Sequence, residues 1–144
     1  MWNSEKKTKA LKLALPDYGT VYLTELLAIH QVTKIVSNHQ ATTFGIYSDS
    51  MAALQTVTNH SCIYPLAVES RKNIREISLQ NRIISIFLIK AHAELEGNER
   101  ADQLAKEAAT KSKKRPDYDL CPISFVKRSI RMATLDKWNH IMVC

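Results

Sequence analysis

Residues 83–109 read IISIFLIKAHAELEGNERADQLAKEAA. From Ile83 to Ile89 the run is apolar and rich in β-branched residues, broken only by Ser85, which predicts an interior strand covered on both faces. Gly97-Asn98 then introduces a helix, with Gly97 or Asn98 as its cap and Glu99 and Asp102 in its first turns, where carboxylates complement the helix dipole. Ala101, Leu104, Ala105 and Ala108 recur at the spacing of an inward helical face. The loop between strand and helix carries His92. A strand passing through a polar loop into a helix is the basic unit of a layered α/β domain.

The same alternation extends upstream. Phe44-Gly45-Ile46-Tyr47 is a second short apolar run, and it delivers Ser48-Asp49-Ser50 at its C-terminal end. Ser50 or Asp49 is the expected cap of a helix through Met51, Ala52, Leu54 and Val57. Pro65 suits the first turn of another helix, with Leu66, Ile74 and Ile77 along it. Before these, Leu26, Ile29, Val32, Ile35 and Val36 repeat at helical spacing from Glu25 and stop before Asn38-His39-Gln40. Thr20 and Thr24 bracket a short extended stretch. KALKLAL at 9–15 alternates loosely as a strand, followed by a Pro16-Asp17-Tyr18-Gly19 turn. The resulting order is helix, strand, helix, helix, strand, helix.

Composition bounds the class. The chain has 144 residues, 45% of them apolar and 24% charged, which is ordinary for one globular domain with a short appendage. No stretch approaches the roughly 20 apolar residues of a membrane span, and Met1 to Lys7 lack the apolar run of a secretory signal. Cys62, Cys121 and Cys144 are odd in number and far apart, which suits an intracellular compartment better than a disulfide scaffold. The net charge of +6 is uneven: residues 111–144 hold eight basic and three acidic side chains, an excess of +5. Lys111-Ser112-Lys113-Lys114-Arg115-Pro116 reads as a linker, and Phe125, Ile130, Met132 or Ala133, Leu135 and Trp138 suggest an amphipathic helix beyond it. Such a basic end serves either as a solvated linker and helix or as a phosphate-attracting surface. The expected division is 1–110 as the domain, 111–122 as a basic linker and 123–144 as the C-terminal helix.

Three carboxylates lie at element ends: Glu25 opening the first helix, Asp49 closing an interior strand, and Asp102 early in the last helix. Carboxylates near helix starts commonly act only as dipole partners. If these three converge, they form an all-oxygen site suited to Mg²⁺ or Mn²⁺.

Three strings give that convergence a context: TELLAIHQV at 24–32, FGIYSDSMAALQTV at 44–57, and IFLIKAHAELEGNERADQLAKEAA at 86–109. In this order they closely resemble the ribonuclease H domains of non-long-terminal-repeat retrotransposons, the Jockey-like elements of arthropods. ISFVKRSIRMATLDKW at 123–138 is similar to the helix that follows the nuclease in those polyproteins. The resemblance covers roughly residues 9–140.

It implies a mixed sheet flanked by helices that cleaves the RNA strand of RNA–DNA hybrids with two Mg²⁺ ions, Mn²⁺ being an alternative. The partners it implies are an RNA–DNA hybrid or other nucleic acid and the rest of a reverse transcriptase polyprotein, with the chain itself a monomer. By motif, Glu25, Asp49 and Asp102 are the metal-holding catalytic carboxylates, and His92 is the loop histidine aiding proton transfer or product release. Ser50 and Asn98 stand beside them to orient substrate or cap their helices, while Lys113, Lys114 and Arg115 are candidates for binding the nucleic-acid backbone.

Two departures from the family pattern stand out. No Asp-Gly-Ser strand end precedes Glu25, so the family's first two strands, with the metal-bridging aspartate, are expected to be missing; KALKLAL then takes the place of the third. In the loop, Glu94 stands where relatives carry the first glycine of HxGxxGN. If that position needs a positive φ, Glu94 costs about 1 kcal/mol and brings an unwelcome negative charge toward a phosphate site, which Arg100 is placed to offset. Three readings follow: a hybrid ribonuclease domain, a noncatalytic nucleic-acid-binding remnant of the same fold, or a product of a decayed element.

Overall fold

The computed structural model describes residues 2–3, 6–7, 10–16, 18–90, 96–111 and 115–142. A two-residue antiparallel hairpin, β1 (Trp2–Asn3) with β2 (Lys6–Lys7), comes first. Then follow α1 (Val21–Ser37), β3 (Thr43–Ser48), α2 (Met51–Thr58), α3 (Pro65–Leu79), β4 (Ile83–Leu88), α4 (Glu96–Lys111) and α5 (Ile123–Met142). The α/β alternation expected from the sequence is therefore present, with five helices and a small parallel sheet. Among the described residues no helix is long and apolar enough to cross a membrane.

Helix α1 is longer at its N-terminus than the apolar repeat indicated. Thr20, extended at φ −92° and ψ 159°, accepts the Leu23 N–H on its hydroxyl at 3.1 Å. That cap starts the helix four residues before Glu25, so Val21 to Thr24 are helical rather than extended. Leu23, Leu26, Leu27, His30, Thr33 and Val36 form the buried stripe. They face α3, whose Leu66, Ala67, Ser70 and Ile77 are buried in turn. The centre of this contact is small and polar: Thr33, Ala67 and Ser70 are fully buried. Each hydroxyl is satisfied, Ser70 donating to Leu66 O at 2.7 Å and Thr33 to His30 O at 2.8 Å, while Asn73 donates to Thr33 at 3.2 Å. Small side chains with internally satisfied hydroxyls let the two backbones approach without stranding a polar group.

Strands β3 and β4 pair in parallel, Thr43 opposite Ile83 and Ser48 opposite Leu88. Ile46 and Ser48 turn into the helical layer and are buried, whereas Thr43, Gly45 and Tyr47 are exposed. The apolar run of β4 predicted cover on both faces; instead Ile83, Phe87 and Leu88 are exposed. Burial along β4 does not alternate: Ile84, Ser85 and Ile86 are part-buried in the middle of the strand, and both of its ends are exposed.

KALKLAL does not form a strand. Residues 10–16 are irregular, and Ala14 is tied to Asp117 by two hydrogen bonds, its N–H to the carboxylate at 2.7 Å and its carbonyl from the Asp117 N–H at 2.8 Å. Leu13 and Leu15 still reach the core, so the alternation reports burial without a neighbouring strand to complete a ladder. Tyr118 packs on the same core and hydrogen-bonds Tyr64; desolvation, largest among several causes, pushes its phenol up to about 12. Helix α5 contacts this region through Phe125, whose ring lies 5.4 Å from that of Tyr18. Its side chains through Trp138 are exposed.

Two arginines tie helix ends to the rest of the fold. Arg71 of α3 donates to Thr56 O, Asn59 O and Cys62 O, satisfying carbonyls at and beyond the C-terminus of α2. Arg82 donates to Val36 O at 2.5 Å, Ser37 O at 3.2 Å and Ala41 O at 3.0 Å, and its guanidinium lies 5.1 Å from the Phe44 ring centroid. The chain reaches Arg82 through Asn81 at φ 56°, a left-handed residue closing α3, with Asn81 N–H on Ser78 O and Arg82 N–H on Ile77 O. Because Arg82 holds α1 against the start of β4, Arg82→Ala should lower stability by about 2–3 kcal/mol in urea titration, and Arg82→Lys, lacking the fork, should recover less than half.

His30 is buried between α1 and α3, with Nε2 3.4 Å from the Glu69 carboxylate and Nδ1 without a hydrogen-bond partner among the described residues. Burial is the largest influence and lowers its pKa below 6.5, against the opposing pull of Glu69. The unfolded chain therefore binds the proton more readily, so this contribution to stability is present above pH 6.5 and is lost as pH falls through the folded value. Denaturant melts at intervals between about pH 7.5 and 5 should show this decline, and His30→Leu should flatten it.

Candidate active site

Parallel pairing puts the C-terminal ends of β3 and β4 at the same edge of the sheet, where α/β layers place ligands. Asp49 follows β3 directly. The adjoining Ser50 caps α2, its hydroxyl accepting the Ala53 N–H at 3.3 Å, and its own N–H donates to the buried Ser48 hydroxyl at 3.2 Å. These bonds fix the backbone on either side of Asp49. Of the two roles considered for Ser50, capping is the one observed.

Asn98 comes to Asp49 from the other end of the chain. It lies in the first turn of α4, which begins at Glu96, so neither Gly97 nor Asn98 is the cap. Its side-chain amide instead donates to Asp49 Oδ2 at 3.2 Å, joining α4 to the end of β3. Asp102 is one turn further along the same helix and is exposed. Within α4, Leu104 is half-buried and Ala108 buried, while Ala101 and Ala105 face solvent, so the covered face is narrower than the alanine spacing suggested.

Glu25, half-buried in the second turn of α1, completes the group. Its carboxyl is held above the ordinary 4.5 first by desolvation, then by the negative charges of Asp49 and Asp102. Asp49 and Asp102 are thus each near enough to the half-buried Glu25 to oppose its ionisation. The three carboxylates do not form a closed cage: among the described residues no group of three or more His, Cys, Asp or Glu could hold a metal ion. Asn98 is neutral and supplies no countercharge. Arg100 turns along α4, donating to Gln103 at 2.9 Å and lying 3.9 Å from Glu107, so nothing places it at the carboxylates.

The donor set fits a hard divalent cation in kind, because carboxylate oxygen is the ligand such ions prefer. Mg²⁺ commonly takes one or two protein carboxylates and completes its shell with water and substrate phosphate, so an open arrangement suits it better than a cage. His92 and Glu94 lie outside the described residues, as do Asp17, Lys113 and Lys114. Arg115 is exposed and belongs to the segment beside Asp117, with no contact to the carboxylates given by the structure.

The sequence profile of the RNase H family matches residues 2–110. The chain belongs to the RNase H family. The match takes in α1 through nearly all of α4, and hence every carboxylate just described. The α/β arrangement agrees with an RNase H-like fold. The family acts on RNA–DNA hybrids and generally uses divalent metal ions. No curated protein and no solved structure matches the chain.

Sequence reasoning missed the Asn98–Asp49 bond as a link between elements, and also the internal capping by Ser48. Asn98 had a usable signal: an amide beside a helix start can hydrogen-bond a carboxylate as readily as it caps. Mutual repulsion predicts the behaviour of Glu25. Its raised pKa means the folded protein loses stability as pH rises from 4.5 through the folded value. Glu25→Gln should therefore melt higher than wild type near neutral pH, with the difference closing at about pH 4, and added Mg²⁺ should raise the melting temperature of wild type more than that of the variant.

Proposed function

We propose that this chain is the RNA–DNA hybrid ribonuclease domain of a Jockey-like non-long-terminal-repeat retrotransposon polyprotein. The observation that carries this reading is the electrostatic convergence of Glu25, Asp49 and Asp102 at the sheet edge, on a chain of the RNase H family. Glu25, Asp49 and Asp102 would hold Mg²⁺, or Mn²⁺ in its place, near the RNA phosphate. The bound cation would lower the pKa of an attacking water and stabilise the leaving 3′-oxygen during in-line displacement at phosphorus.

The chain's own residues have separate tasks. Asp49 is oriented by Asn98, leaving its second oxygen for the ion; Glu25 supplies charge from the half-buried helix; Asp102 supplies it from the solvent side. His92, which lies outside the described residues, is assigned to proton transfer or product release. Ser50 serves by fixing the Asp49 backbone. Lys113, Lys114 and Arg115 are assigned to the nucleic-acid backbone.

The family's fourth carboxylate, the aspartate of Asp-Gly-Ser, has no matching motif in these residues. Three carboxylates hold two mutually repelling dications less well than four, so the 144-residue chain is expected to cleave weakly. In a labelled-hybrid assay with Mg²⁺ or Mn²⁺, its cleavage should stay close to that of Asp49→Asn. A version carrying a strand that ends in Asp-Gly-Ser ahead of residue 10 should cleave at least about tenfold faster, and Asp49→Asn should abolish that gain. No cleavage by the grafted protein would overturn the nuclease assignment. Strong cleavage by the ungrafted chain would show that three carboxylates suffice.

A noncatalytic role in binding nucleic acid is favoured by a different observation: Lys127, Arg128, Arg131 and Lys137 are all exposed on α5. Affinity for RNA–DNA hybrid should fall steeply with salt and depend little on sequence. Replacing Lys127, Arg128 and Arg131 with Gln should reduce the log–log salt slope by up to about 3; an unchanged slope would assign α5 to packing or polyprotein linkage.

A further inference from the structure

The sheet face turned away from the helical core carries a pair of aromatic rings. Tyr47 and Phe87 are direct partners in the parallel register, and their rings stack with centroids 4.9 Å apart and planes 17° apart. They remain 65% and 44% exposed. Neither ring belongs to the core, which lies on the other side through Ile46 and Ile86. Gly45 makes room for this arrangement: a Cβ there would sit 3.0–3.3 Å from the Cε2, Oη and Cζ atoms of Tyr47. The Tyr47 ring therefore folds back along its strand instead of standing away from the sheet.

We propose that the Tyr47–Phe87 pair is a stacking platform for an unpaired nucleobase next to the hybrid bound at the carboxylate edge. This rests on the hybrid-ribonuclease reading and extends its substrate to hybrids with a single-stranded overhang. Position is the first reason. Tyr47 precedes Asp49 by two residues and Phe87 pairs with Tyr47, so both rings spring from the next-to-last residue pair of the two strands whose common end leads to Asp49. Chemistry is the second. An exposed aromatic pair on a sheet offers a flat π-face that any base can extend, without demanding a particular sequence. The interior bases of a duplex have both faces covered by their neighbours, so only a terminal or unpaired base can add to the stack. Charge is the third: exposed Lys90 follows β4 three residues beyond Phe87 and offers a phosphate partner close to the rings in the chain.

The test measures binding of the full chain to a short RNA–DNA hybrid, blunt or with a single-stranded DNA overhang containing 2-aminopurine, in EDTA so that nothing is cleaved. The overhang should tighten binding at least about fivefold and quench the 2-aminopurine fluorescence, as base–aromatic stacking does. Tyr47→Ala and Phe87→Ala should remove both effects and leave blunt-hybrid affinity unchanged, whereas Tyr47→Phe should keep them. Gly45→Thr, which displaces the ring without deleting it, should behave like Tyr47→Ala; melting temperatures establish that each variant is folded. Equal affinity for blunt and overhang hybrids, or an overhang preference that survives Tyr47→Ala, would overturn the platform while leaving the nuclease reading intact. Failure to bind the blunt hybrid at all, both in EDTA and with Ca²⁺ in place of Mg²⁺, would overturn the nuclease reading and this inference together. Self-association of the chain lost in Tyr47→Ala, with no fluorescence quenching, would assign the ring pair to a contact between copies and likewise overturn it.

Discussion

The parallel pairing of β3 with β4 is the constraint on which the rest of the site depends. Two strands running the same way end at the same edge, so Asp49 and the chain leaving β4 emerge together although about forty residues separate them. Antiparallel pairing would have sent them to opposite ends. The connection between the strands must cross back over the sheet, and α2 and α3 make that crossing. Close packing of α3 on α1 through Thr33, Ala67 and Ser70 then sets where Glu25 lies relative to the strand ends.

Stability and site chemistry are in tension at this edge. Burial holds Glu25 in position, yet desolvation and two neighbouring carboxylates oppose its ionisation. A fold without use for concentrated negative charge would gain from replacing one of the three. The arginines that could neutralise it are used elsewhere: Arg71 and Arg82 satisfy backbone carbonyls, and Arg100 stays along its own helix. None of these three arginines therefore offsets the negative charge that raises the pKa of Glu25. The opposite sheet face shows a milder form of the same feature, since Tyr47 and Phe87 stack on one another in solvent instead of joining the core.

Where sequence reading failed, the cause was nonlocal. KALKLAL has the alternation of a strand, but a strand requires a neighbour, and here Ala14 finds Asp117, more than a hundred residues away. Thr20 resembles many other threonines until its hydroxyl meets the Leu23 N–H. The continuous apolar run of β4 could not reveal that only its middle is covered and its ends are exposed. Nor could spacing alone settle whether Asn98 caps its helix or reaches Asp49.

Local rules were sufficient for the order of helices and strands from α1 onward, a cap at Asp49 or Ser50, and the proline start of α3, because each depends on residues a few positions apart. The same holds for the family resemblance, carried by contiguous strings around Glu25, Asp49 and Asp102. Tertiary structure alone decided which carboxylates feel one another, which sheet face is bare and which carbonyls the arginines satisfy. Each of these depends on distances between segments remote in sequence, and electrostatic repulsion, ring stacking and hydrogen bonding all act through space rather than along the chain.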